Sequence, residues 1–204
     1  MRLIGMLDSP YVRRVAISLK FMGLPFAHES VSVFRDFDRF AGINPVVKAP
    51  TLVLDNGTAL MDSSLILDYL EHLAAPERCL MPNDLAGHVQ VQRLVGLALA
   101  ACEKTVQIVY EHELRPAEKR HRPWIDRVLG QLLGAYCLLD AEIGLGHTWL
   151  VGGRATQADI SVAVAWRFTQ SMLADEVRSD DHSALARLSE RMESLPEFVS
   201  TPPE

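Results

Sequence analysis

The spacing of apolar and polar positions changes period several times over the first 73 residues. "RLIGM", starting at Arg2, is a short apolar run of strand character. From Pro10 to Met22 the apolar residues Val12, Val15, Ala16 and Leu19 recur every three or four positions, which is the spacing of one helix face. Gly23, Leu24 and Pro25 close that pattern. "FAHESVSV" predicts the next strand, and a short helix is expected over Asp36 to Ala41. "NPVVKAPTLVL" predicts an extended segment that runs into a third strand. Asp55-Asn56-Gly57 predicts a tight hairpin turn, because Asn and Gly supply the positive φ it needs, and "TALM" follows as a fourth strand. Ser63 to Leu73 sets Leu65, Ile66, Tyr69, Leu70 and Leu73 on one side of a helix.

The order β-α-β-α-β-β-α predicts a mixed sheet of four strands with helices on both faces. "AAPERCLMPND", residues 74 to 84, reads as a connector, and after it the strand signals nearly vanish. Helices are expected at about 84–113, 117–143, 156–173 and 182–193, with "GLGHTWLVGG" as a loop and "STPPE" as an extended tail. The fold class is therefore α/β plus all-α: an α/β domain over 1–75, a linker over 76–83 and an all-helical domain over 84–204.

Composition narrows the function classes. The chain has 204 residues, 49% hydrophobic and 23% charged, which suits one large domain or two small ones. No run of about 18 uninterrupted apolar residues occurs, so no membrane span is expected. The first apolar run ends at Asp8 and Pro10, too soon for a signal peptide, and a cytoplasmic location is expected. The formal net charge of -6 argues against nucleic acid or an anionic membrane as partner. Basic residues nevertheless gather early, at Arg13, Arg14, Lys20, Arg35, Arg39 and Lys48, where they suit a small anionic ligand. Cys79, Cys102 and Cys137 lack metal-ligand or redox-pair spacing, and the seven histidines show no ligand pairing, so neither a disulfide framework nor a metal site is expected. "EKRHR" at 118–122 reads as a solvated helix face.

Three short stretches carry candidate chemistry. Ser9-Pro10 is a helix start, with Ser suited to the cap and Pro to the first turn. Lys48-Ala49-Pro50 precedes a strand; a proline there can hold a cis bond and leave the backbone of Ala49 open to an extended peptide, or be an ordinary edge-strand proline. Asp62-Ser63 opens an amphipathic helix. Both residues suit a plain cap, but the free N–H groups of a helix N-terminus also hold a carboxylate, and Asp62 would accept from an ammonium. The end of an α-amino acid has both groups.

Taken together, "SPYVRRV", "NPVVKAPTLV", "DNG", "DSSLILDYLE" and "TQADISVA" (156–163) resemble the glutathione transferase superfamily over essentially the whole chain. The serine-type start is similar to the tau and zeta classes and their bacterial relatives. The resemblance implies a thioredoxin-like N-terminal domain, an all-helical C-terminal domain, and a capping box at Thr156 and Asp159. It implies glutathione as co-substrate, no metal, a small hydrophobic electrophile, and a homodimer. Site roles carried over from it put Ser9 at the glutathione sulfur and the backbone of Ala49, beside cis-Pro50, on the cysteinyl unit. Asp62 and Ser63 would hold the γ-glutamyl end, Lys48 the glycine carboxylate, and Arg35 would be a second basic residue. Candidate electrophile contacts, between the two halves, are Tyr11, Phe34, Val106 to Tyr110, and Trp166.

Conjugation is the leading reading, with glutathione-dependent isomerisation and peroxide reduction as variants. A non-catalytic binding or regulatory relative of the same fold is the alternative. A thioredoxin-type enzyme working through its own thiols lacks a cysteine at the first helix start.

Overall fold

The computed structural model describes residues 1–144 and 148–204. Residues 145–147, inside the expected "GLGHTWLVGG" loop, lie outside the described residues. The chain divides into two compact units: Met1–Met81 with Ser194–Glu204, and Pro82–Glu193.

The first unit holds four short strands, β1 (Arg2–Ile4), β2 (Ala27–Glu29), β3 (Thr51–Val53) and β4 (Ala59–Met61), in the order β2-β1-β3-β4. β1 runs parallel to β2 and antiparallel to β3, and β3 and β4 form the hairpin expected at Asp55-Asn56-Gly57. Gly57 closes that turn at φ 86°, and Leu54 N–H donates to the Thr58 carbonyl at 2.9 Å. Successive strand side chains face opposite ways. Ile4 and Val53 therefore share one face, where they pack with Val31 and with Phe40 of α2 (Phe37–Ile43). Leu3 and Leu52 occupy the other face, both fully buried. The same unit holds α1 (Pro10–Met22) and α3 (Ser63–Leu73), which pack on each other.

β2 is shorter than "FAHESVSV" predicts because Ser32 diverts the chain. Its hydroxyl accepts from the N–H of Phe34 and of Arg35, while its own N–H donates to Asp36. Such local side-chain bonds offer the backbone an alternative to a strand ladder.

The second unit is all helical: α4 (Leu85–Glu113), α5 (Arg122–Ile143), α6 (Gln157–Met172) and α7 (Ser183–Glu193). α4 packs on α5 and α6, and α7 packs on α5 and α6. α4 is long and apolar enough to cross a membrane by composition, yet its Val91, Leu94, Ala98, Ala101 and Ile108 are buried as core. A closed polar chain joins three helices: Tyr136 donates to the Ala165 carbonyl at 3.0 Å and lies 2.6 Å from the Thr169 hydroxyl, itself 2.7 Å from that of Thr105. Every member has a partner, so the network fixes helix register without orphaned groups. The capping box forms: Asp159, fully buried, accepts from the N–H and hydroxyl of Thr156, and Thr156 accepts from Ala158. α5 begins later than expected, at Arg122 beside Pro123. The "EKRHR" stretch is accordingly not one helix face: Arg120 turns back to donate to the carbonyls of His112 and Arg115 at the end of α4.

The C-terminal segment ends in the tail that the sequence predicts, with no helix from Ser200 to Glu204. It forms a further turn of helix, α8 (Pro196–Val199), and its contacts place it in the first unit. Phe198 is fully buried, edge-on to Phe21, with the Arg13 guanidinium 5.6 Å from its ring centre. Arg13 Nε donates to the Thr201 carbonyl at 2.9 Å, and Glu204 accepts from Leu7 N–H and the Ser30 hydroxyl. Phe198→Ala should therefore cost about 3–5 kcal/mol, as for other buried aromatics. Urea unfolding measures it; a loss below about 1 kcal/mol would mean that the segment is not part of the core.

Candidate functional site

α1 starts where the sequence places it. Pro10 occupies the first turn and Ser9 is the cap residue, with extended φ and ψ of -70° and 122°. The Ser9 hydroxyl makes no capping hydrogen bond, and the residue is half-buried. A capping serine ordinarily accepts from the second or third helical N–H. Here that hydroxyl is left for another partner, at a terminus whose N–H groups favour an anion.

The loop after β1 has to pass close to a second segment. Gly5 sits at φ 133°, and a Cβ built there would meet Val12 at 2.7 Å and the Ala49 Cβ at 3.0 Å. Only glycine gives both that backbone and that approach. The contact brings the Ser9 loop against the Lys48-Ala49-Pro50 segment, where the Ala49–Pro50 bond is cis. Among the described residues, neither the N–H nor the carbonyl of Ala49 has an intramolecular hydrogen-bond partner. An extended peptide lying alongside would find one open donor and one open acceptor.

Asp62 and Ser63 open α3. Asp62, at φ 71°, caps the helix by accepting from Ser64 N–H at 3.0 Å. Its other carboxylate oxygen lies 3.4 Å from Lys48 Nζ. Both side chains of this pair are about half exposed, so the pair is weak and can exchange for ligand charges. Ser63 is 4% exposed, and its hydroxyl accepts from Arg14 at 3.1 Å.

That last contact reveals a residue whose site role sequence reasoning missed. Arg14 counted only among the early basic residues, yet it is 3% exposed and also donates to the Ser64 hydroxyl at 3.3 Å. Because Ser63 accepts from Arg14, its own hydrogen is free to point at a ligand, and the buried cation adds to the positive end of α3. The sequence carried no signal for this, because α1 also holds Ser18 and Lys20 and nothing in its spacing marks Arg14 as buried.

Arg35 goes elsewhere. Its guanidinium lies 3.3 Å from Met6 Sδ and acts on Asp8, whereas Lys48, Asp62 and Ser63 are joined by the contacts above. Burial pushes the Asp8 carboxyl up from its ordinary value; Ser9 N–H opposes this, nearby Glu204 reinforces it, and Arg35 opposes it. Trp166, a candidate electrophile contact, takes the core role: it is 3% exposed and edge-on to Tyr136 at 5.1 Å and to His182 at 5.7 Å. Tyr11 is half-buried, Phe34 exposed and Tyr110 exposed. Among the described residues no group of three or more His, Cys, Asp or Glu is placed to hold a metal. None of the three cysteines is in a disulfide, and none stands at the start of α1.

Two family descriptions match the chain: "Glutathione S-transferase, N-terminal domain" over residues 3–78 and "Glutathione S-transferase, C-terminal domain" over residues 100–196. The uncharacterized GST-like protein YibF of Escherichia coli is 30% identical over 142 residues, 66% of this chain and 69% of that protein. Maleylacetoacetate isomerase of Pseudomonas aeruginosa is 28% identical over 160 residues, 74% of this chain and 72% of that protein. Among solved structures, a glutathione S-transferase of Methylobacterium radiotolerans in complex with glutathione sulfonate superposes with a TM-score of 0.91 at 32% identity, covering 99% of this chain and 94% of that one.

The raised Asp8 pKa has a consequence for stability. The folded chain holds the Asp8 proton to higher pH than the unfolded chain does. Between the ordinary value of 3.8 and the raised one the native state binds more protons, so stability falls as pH rises through that window. Asp8→Asn should flatten this part of the urea-unfolding free energy against pH. A profile identical to wild type would contradict the placement of Asp8.

Proposed function

This chain belongs to the glutathione transferase superfamily, and on that premise we propose that it binds glutathione along the first unit and activates its thiol for attack on a small hydrophobic electrophile. The observation that carries the reading is the Ser9 hydroxyl, set at a helix N-terminus and not used to cap it. The chemistry needs a thiolate. A free cysteine thiol has a pKa of about 8.5, and lowering it by two units takes about 2.7 kcal/mol. A hydroxyl donating to the sulfur anion contributes about 1.5–3 kcal/mol, and the helix terminus about 0.3–2 kcal/mol. Together they suffice without a general base, and the thiol proton leaves to water. Ser9 acts as a donor to sulfur and never as a nucleophile.

The rest of the ligand is assigned by charge. The open backbone of Ala49, beside Pro50, pairs with the cysteinyl unit. Lys48 takes the glycine carboxylate, Asp62 the γ-glutamyl ammonium, and Ser63 with the α3 N–H groups the γ-glutamyl carboxylate. The Lys48–Asp62 pair opens as the ligand supplies each with a new partner. Arg35 stands at the margin of this set, toward Met6 and Asp8. The reading carries with it a cytoplasmic location and a two-fold homodimer. Exposed Leu65 on α3 and Met61 on β4 offer apolar surface for that second copy.

A second reading, glutathione-dependent isomerisation, is supported by the likeness to maleylacetoacetate isomerase. Against it stands the start "SPYVRRV", where the zeta pattern usually reads "SSCS". A glutathione-binding relative without turnover remains the alternative to both.

Ser9→Ala removes one charge-assisted bond and should slow conjugation of a chromogenic aryl halide by roughly 10–100-fold. Steady-state rates at saturating glutathione test this. A rate equal to wild type would assign activation of the sulfur to another group.

A further inference from the structure

Two non-glycine residues at the site described above have positive φ, Val47 beside Lys48 at 50° and Asp62 at the cap of α3 at 71°. Valine is among the residues least tolerant of that region. Such conformations persist only where the surroundings over-determine them, and they gather at functional sites. Here the surroundings converge on one buried side chain.

Asn44 follows α2 and is 7% exposed. Its Oδ1 accepts from Val46 N–H at 3.1 Å, and its backbone carbonyl accepts from Val47 N–H at 2.9 Å. Its Nδ2 donates to Thr51 Oγ1 at 2.9 Å and lies 3.5 Å from Met61 Sδ. Thr51 is fully buried and passes its own hydroxyl hydrogen to the Lys48 carbonyl at 2.8 Å. One carboxamide thus touches both segments. Through Val46 and Thr51 it holds the turn that presents Lys48 and Ala49, and at Met61 it meets the residue just before Asp62.

A carboxamide suits this place because it offers an acceptor and two donors in one plane. An aspartate of the same size has no N–H to give. The Thr51 hydroxyl would then turn to the carboxylate and release the Lys48 carbonyl.

We propose that Asn44, acting through Thr51, is a positioning residue for the glutathione site: it sets the spacing between the Lys48-Ala49 segment and the Asp62-Ser63 corner. The inference rests on the glutathione reading above and deepens it. A ligand charged at both ends gains from partners fixed in advance, since ordering them at the moment of binding weakens association.

The test is calorimetric titration of the whole chain with glutathione, alongside urea unfolding, for wild type, Asn44→Asp, Thr51→Val and Thr51→Ser. Thr51→Val keeps the shape and removes the hydroxyl; Thr51→Ser keeps the hydroxyl. Asn44→Asp and Thr51→Val should each bind glutathione about tenfold more weakly while remaining folded, and Thr51→Ser should stay within about twofold of wild type. If Thr51→Val loses stability with no change in affinity, the pair is structural only and the proposal is overturned. It is equally overturned if Thr51→Ser binds as weakly as Thr51→Val. If the wild-type chain itself does not bind glutathione, the reading of the site fails, and this inference fails with it.

Discussion

A guanidinium buried in the first helix donates to the hydroxyls at the mouth of the third. Arg14 reaches Ser63 and Ser64, so α1 and α3 are coupled through a charge as well as through apolar packing. Removing water from a cation is costly unless its donors are used, and the positive end of a helix is an electrostatically poor neighbour for it. The arrangement makes sense once an anion is expected at the same place. The start of α3 then carries free N–H groups, a buried positive charge and a serine hydroxyl already supplied with a donor. The acidic balance of the whole chain is no obstacle, because the field that a small ligand meets is set within a few ångströms.

The start of α1 works on related lines with fewer parts. Proline removes one N–H from the first turn, and Ser9 leaves its hydroxyl uncommitted. Behind it, Arg13 ties the helix to the C-terminal segment through Thr201 and Phe198. A donor that must meet a sulfur anion at hydrogen-bond distance benefits from a helix that cannot drift, since small misplacements are costly in catalysis. The two adjacent arginines of "SPYVRRV" thus have separate tasks: Arg13 braces α1 and Arg14 serves α3.

Much of this was legible in the sequence where the signal is local. The caps at Asp62 and Thr156, the turn at Asn56-Gly57 and the bounds of α3 follow from side chains that bond within a few residues of themselves. The cis bond before Pro50 was one of two local readings of that proline, whereas the need for glycine at position 5 comes from the approach of Ala49 and has no local signal. What stayed hidden depends on residues far apart in the chain. Arg14 and Ser63 are 49 positions apart, and Arg13 and Thr201 are 188 apart. Spacing alone does not tell a buried arginine from a solvated one, so the anchoring of the tail through Arg13 stayed hidden. β2 was overextended for a different reason: alternation in "SVSV" suits a strand, but Ser32 and Asp36 satisfy the backbone without one. Trp166 stayed open in the sequence, because an aromatic on a helix suits a pocket wall and a core until its neighbours, Tyr136 and His182, are known.

The central claim concerns a sulfur anion held by a hydroxyl, and the most direct measurement is the pKa of glutathione's thiol in the complex, read from ultraviolet thiolate absorbance across pH. Bound to the native chain, the thiol should titrate about two units below the free value of about 8.5. With Ser9→Ala, most of that shift should disappear. A bound thiol that titrates where free glutathione does would contradict the account.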